Sequence, residues 1–226
     1  MNIMDIGFVF RTNQTLVEME LRALLEWYDH TDGSFEKRIR GMEQEFEKKS
    51  DEYWREDVGE GVTRGDLASD QHTELLSIAS MTDFFGVQTT YSIFERFLFQ
   101  LFREIKYFQL NIPQEFVKKK SLDLPGYKEV LKSIGISITD PPIQYSELIK
   151  LRDYRVTSAH YGGWITEENE NQMRPYKFKN GDFLSLPDGY FHDAVGLVQE
   201  TCQQITAMVV PVFRTHLAPP KSTSPN

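Results

Sequence analysis

The chain has a single cysteine, Cys202, among 226 residues, which excludes an internal disulfide framework and fits a reducing compartment. No apolar run approaches the roughly 18 residues of a membrane span. The first ten residues, MNIMDIGFVF, carry Asp5 inside their apolar stretch and no basic flank, so no signal peptide is expected and the protein reads as cytoplasmic. The five histidines, His30, His72, His160, His192 and His216, form no His-x-x-x-His pair and have no cysteine partner, so no metal site is expected. GEGVTRGD (59–66) follows no strand and precedes no Gly-Lys-Ser/Thr, which excludes a phosphate-cradling loop, and no Gly-x-Ser-x-Gly elbow exists. No cofactor is expected. Basic charge is scarce as well: 25 Lys and Arg against 34 Asp and Glu leave a net charge of −9, unlike a protein whose whole surface grips nucleic acid.

The composition, 40% hydrophobic and 13% aromatic, is enough for a sizeable core without staples. Its charge is uneven. Residues 1–100 carry 10 basic and 20 acidic side chains, whereas residues 101–160 carry 10 basic and 7 acidic ones. The middle block holds Lys118, Lys119, Lys120, Lys128, Lys132, Lys150, Arg152 and Arg155. It reads either as a local anion-attracting surface or as solvated lysines on helix faces.

Periodicity predicts a mainly helical protein. Leu16, Met19, Ala23, Leu24, Trp27 and Tyr28 mark a helix over about 13–30. Asp32-Gly33 is expected to break it, with Ser34 capping a second helix to about 57. A long aromatic helix follows over about 70–110, where Gly86 is a candidate kink. Pro113 and Pro125 suit the first turns of two short helices, and Gly135 suits the residue just past the second. Asp140-Pro141-Pro142 is a stop, after which a helix runs to Gly162-Gly163. Asn180-Gly181 between apolar pairs predicts a β-hairpin over about 175–187. Phe191, Ala194, Val195, Val198, Cys202, Ile205, Val209 and Phe213 then mark a last helix whose apolar face buries Cys202 and which Pro211 should kink. The Pro/Ser-rich tail reads as disordered.

One segment carries candidate chemistry, LRDYRVTSAHYGG (151–163). Histidine titrates near neutrality and can shuttle the proton of a ribose hydroxyl. Arginine can hold a phosphate and stabilise charge developing on its oxygens. In an unbroken helix Arg155 and His160 stand about 140° apart, so convergence within one chain needs the helix to end near His160.

Arg155 and His160, with a spacer of four, together with TTYSIFERFLFQLFREI (89–105), the helix closed by Ile134-Gly135-Ile136, YSELIKLRDYR and AHYGG, follow in an order that resembles the HEPN superfamily. The similarity spans about residues 70–215. It implies an antiparallel HEPN-like helical domain over 67–217, an N-terminal helical hairpin extension over 1–66 and a tail at 218–226. It also implies a homodimer and metal-independent cleavage of RNA by its own 2′-hydroxyl. His160 would be the acid/base group, Arg155 would polarise the scissile phosphate, and Arg152 would help hold the RNA. Such proteins act as toxins or in prokaryotic antiviral defence, with an antitoxin or defence-complex protein as partner. No membrane is implied. One departure stands out. Active members usually carry Asn, Asp or His directly after the motif arginine, and here Val156 follows it, while Arg152-Asp153 supplies such a pair with a spacer of seven between Arg152 and His160, one too long. A non-catalytic HEPN binding or scaffold domain is the alternative.

Overall fold

The computed structural model describes residues 3–139, 141 and 143–217. They are mainly α-helical, with eight α-helices among them and one two-stranded antiparallel hairpin. The helices are α1 (Ile3–Lys48), α2 (Asp51–Trp54), α3 (Arg64–Tyr107), α4 (Gln114–Val117), α5 (Leu124–Ser133), α6 (Tyr145–Tyr161), α7 (Glu170–Met173) and α8 (Tyr190–Leu217). The strands are β1 (Asp57–Gly59) and β2 (Val62–Thr63). Part of the predicted stop at Asp140-Pro141-Pro142 and the tail from 218 lie outside the described residues. Among the described residues no helix is long and apolar enough to cross a membrane.

The first helix differs from its expected form. Asp32-Gly33 does not break it: α1 runs through both residues for 46 residues in all. A helical glycine costs only about 1 kcal/mol relative to alanine, less than a helix held by packing on both sides can absorb. The buried positions are Phe10, Val17, Leu21, Leu24 and Tyr28, whereas Leu16, Met19 and Trp27 are exposed. The chain reverses later, through α2 and the hairpin. Ser50 caps α2 by accepting from the Tyr53 amide, and Glu60 and Gly61 turn the hairpin with both φ values positive, as in the type I′ family. Thr63 and Asp66 then start α3 with a reciprocal capping box, since the Asp66 carboxylate accepts from the Thr63 amide at 2.9 Å and the Thr63 hydroxyl from the Asp66 amide at 3.1 Å.

The chain folds as two compact units, Met1–Arg22 with Val87–Asn226, and Ala23–Gly86. The smaller is a helical hairpin. Trp27 meets Phe85 edge-on at 5.2 Å, Phe46 meets Trp54 at 4.8 Å, and Tyr28 donates its hydroxyl to Asp83. The larger is a helical bundle. It buries Tyr91, Phe94, Phe97, Leu98, Leu101, Phe102 and Ile105 of α3, Tyr127, Val130 and Leu131 of α5, and Leu148, Leu151 and Tyr154 of α6. The predicted apolar face of α8 is buried from Phe191 to Phe213, Cys202 included, and Phe213 meets Phe10 and Phe108 at 4.8 and 5.5 Å. Gly86 lies inside an uninterrupted α3, Pro125 opens α5, and Pro211 lies within α8.

The hairpin expected over 175–187 does not form. Arg174–Tyr176 is a 3-10 turn ended by Lys177 at φ +71°, and Pro175 offers no amide for pairing. The Asn180-Gly181 turn is present, yet the segment after it pairs with residues 163–165. The Ile165 amide donates to the Asp182 carbonyl at 2.9 Å and the Leu184 amide to the Gly163 carbonyl at 2.7 Å. The small hairpin of this fold is instead β1–β2.

Candidate functional site

Helix α6 packs Leu148, Leu151, Tyr154 and Thr157 inward and stays regular through Tyr161. Gly162 and Gly163 end it at φ +59° and +87°, and both amides turn back to the Thr157 carbonyl. A side chain at Gly162 would be strained by that backbone, the usual reason for glycine just past a helix.

Arg152 lies against a buried carboxylate. Asp153 is 3% exposed, and its Oδ1 accepts from Arg152 Nε and Nη2 at 3.1 and 2.8 Å and from Gln172 Nε2 at 2.7 Å. Its Oδ2 accepts from the Tyr176 hydroxyl at 2.9 Å. Burial and that bond to Asp153 raise the Tyr176 phenol far above its ordinary value. Burial works against the charge on Arg152, and pairing with Asp153 outweighs it. Asp153 therefore ties the segment after α6 back onto the helix, with Arg152 fixed at the edge of the knot.

Arg155 is half-buried, with Nη2 3.8 Å from Glu95 Oε2 on α3. Glu95 is held above the ordinary carboxylate range by burial, partly offset by the Arg155 charge. Beside it Tyr91 is buried and its phenol is likewise raised, by burial first and by the Glu95 charge second. The result is a mixed cluster of two carboxylates, two guanidiniums and a phenol between α3 and α6.

His160 is exposed in the last turn of α6 and makes no hydrogen bond or ion pair among the described residues. Because the helix stays regular past it, Arg155 and His160 remain about 140° apart around the axis. One chain thus brings Arg152 and Arg155 to neighbouring positions and leaves His160 on another side. Among the described residues no three His, Cys, Asp or Glu side chains gather as metal ligands would.

The sequence reading passed over Glu95, and it took Asp153 only as the neighbour of Arg152 and not as a buried carboxylate holding three donors. Glu95 had a signal: with Arg96 it is set between Phe94 and Phe97 on the aromatic stretch of α3, where a charge turned toward the bundle needs a partner. Asp153 had none, because its partners Gln172 and Tyr176 lie 19 and 23 residues downstream. No family model, curated protein or solved structure matches this chain.

Proposed function

We propose that this protein is a metal-independent endoribonuclease of the HEPN type whose site is assembled from two copies of the chain. The observation that carries the reading is His160, exposed and unpaired on the same helix as Arg155, just before a glycine-terminated end. Cleavage by the neighbouring 2′-hydroxyl forms a bond from O2′ to phosphorus and breaks the bond to O5′, leaving a 2′,3′-cyclic phosphate. One proton leaves the 2′-hydroxyl and another must reach the 5′-oxygen. A single imidazole performs one of these transfers at a time, whereas two copies supply a base and an acid together. Two copies also remove the need for Arg155 and His160 of one helix to meet. Arg155 would hold the scissile phosphate once RNA displaces Glu95, and Arg152, braced by Asp153, would present its remaining N–H groups to the strand. A role as toxin or defence effector, with an antitoxin or defence-complex partner, follows from the same resemblance.

The Arg155–Glu95 pair favours a second reading. An arginine already balanced by a carboxylate, followed by Val156 in place of a polar residue, suits a non-catalytic binding domain. Labelled single-stranded RNA incubated in EDTA with wild-type, His160→Ala and Arg155→Ala proteins separates the two. Cleavage by the wild type alone, ending in a cyclic phosphate, supports the ribonuclease. Binding without shortening by any of the three supports the binding domain, and equal cleavage by all three refutes the assignment of these residues.

A further inference from the structure

The lysine run and the aromatic end of α3 meet in a concavity that the reading of α6 leaves unused. It has a volume of about 560 Å³ and is lined by Val9 of α1 together with Phe102, Arg103, Glu104, Lys106, Tyr107 and Lys120. Its size is within the roughly 300–1,000 Å³ of small-molecule sites. Three cations against one acid face it, on a protein whose net charge is −9. Lys118 and Lys119 adjoin Lys120 in the chain and add to the local positive field.

The groups are partly held in place. Lys106 Nζ lies 5.2 Å from the Phe102 ring centroid and donates to the Lys119 carbonyl at 3.1 Å, which ties the lysine run to α3 and leaves further N–H donors for a ligand. Arg103 and Lys120 are exposed at its rim. Tyr107 is 73% exposed, an unusual position for a large ring, and stands perpendicular to Phe108 at 5.0 Å. Phe108 is anchored in turn on Phe213. An exposed ring on a rooted base, beside one tethered lysine and two rim cations, is the pairing that recognises a planar base next to a phosphate.

We propose that this concavity binds a nucleoside phosphate, the phosphate on Arg103, Lys106 and Lys120 and the base stacked on Tyr107. The ligand is either a free mononucleotide or one unit of a single strand; the chemistry is the same for both. The site does not rest on cleavage at α6, since none of Arg152, Arg155 and His160 lines it and its test reads binding.

The full chain is titrated with inorganic phosphate, with adenosine 5′-monophosphate and with a labelled deoxyadenylate 10-mer, which lacks the 2′-hydroxyl and stays intact whatever α6 does. Saturable binding of a nucleotide probe, tighter than that of phosphate, is expected. The Arg103→Gln/Lys120→Gln variant, altered at two exposed positions, should weaken 10-mer binding about tenfold and flatten its log–log salt dependence by roughly 1.4, about 0.7 for each lost phosphate contact. Tyr107→Ala should also weaken nucleotide binding by about tenfold, and Tyr107→Phe should restore it. Tight binding of the mononucleotide identifies the free form as ligand, and binding of the 10-mer alone identifies the strand. The proposal is overturned if neither nucleotide probe saturates, if phosphate binds equally well, if both variants bind as the wild type does, or if anionic lipid vesicles bind where nucleotides do not.

Discussion

The hydroxyl of Tyr176 donates to Oδ2 of Asp153 at 2.9 Å, joining a 3-10 turn to the middle of α6 across 23 residues of chain. With Gln172 and Arg152 on the other oxygen, the buried carboxylate is satisfied by three residues from two segments. A hydrogen bond to a charged group of this kind contributes about 1.5–3 kcal/mol.

Tyr176→Phe should accordingly lower stability to chemical denaturation by about 1–3 kcal/mol, because it removes one donor and leaves the ring contacts with Tyr154 in place. Asp153→Leu should cost more, since it strands Arg152, Gln172 and Tyr176 together. Urea unfolding of the two variants checks the order; equal loss would show that the carboxylate acts only through Tyr176.

Glu95 links stability to pH. Its folded value lies above the ordinary 4.5 because burial disfavours the charged form. The stability it contributes is therefore fully present below that ordinary value and is lost as pH rises through the folded one. Glu95→Gln cannot ionise. The variant should gain on the wild type as pH rises from about 4 into the range above the carboxylate value, measured by melting temperature at each pH. A constant offset would mean that Arg155 compensates the Glu95 charge in full.

Thr157 supplies a test without charge. It is fully buried, and its hydroxyl oxygen has no hydrogen-bond partner among the described residues. Thr157→Val keeps the shape and removes the unsatisfied group, so stability should hold or rise by up to about 1–2 kcal/mol. A clear loss would reveal a partner for the hydroxyl in solution.

The two-copy site requires association. Light scattering at tens of micromolar should give twice the chain mass, and a clean monomer would remove the composite arrangement. Wild-type chain mixed with an excess of His160→Ala chain should lose activity beyond simple dilution, because the mixed pair holds one imidazole where the two proton transfers call for two.

Much of the fold was legible where local chemistry and packing agree. Gly162-Gly163 ends α6 because that turn needs left-handed backbone, and the period of α8 from Phe191 to Phe213 is read straight from burial. Asp32-Gly33 misled because both residues favour breaks only where nothing else holds the helix. Glu60-Gly61 was passed over because glutamate is an uncommon first residue for a positive-φ turn, and Asn180-Gly181 turned as expected while its strand partner lay elsewhere. The nine aromatics between 84 and 108 exceed what one helix face buries and call for another layer or another chain. Most are covered within their own unit, and only Phe85 and Tyr107 remain widely exposed. The site was legible as a motif and not as a geometry, since Glu95 and the partners of Asp153 are set by tertiary packing.

Cys202 makes the bundle its own unfolding reporter. The thiol is buried on α8, and burial together with the Glu18 charge pushes it well above its ordinary value, so thiolate is scarce and reagent has no path to it while the helix is docked. Alkylation by an excess of iodoacetamide should then track the fraction of molecules in which α8 is released, reading the free energy of opening from the native bundle itself, with no probe to attach and no second cysteine to confuse the mass.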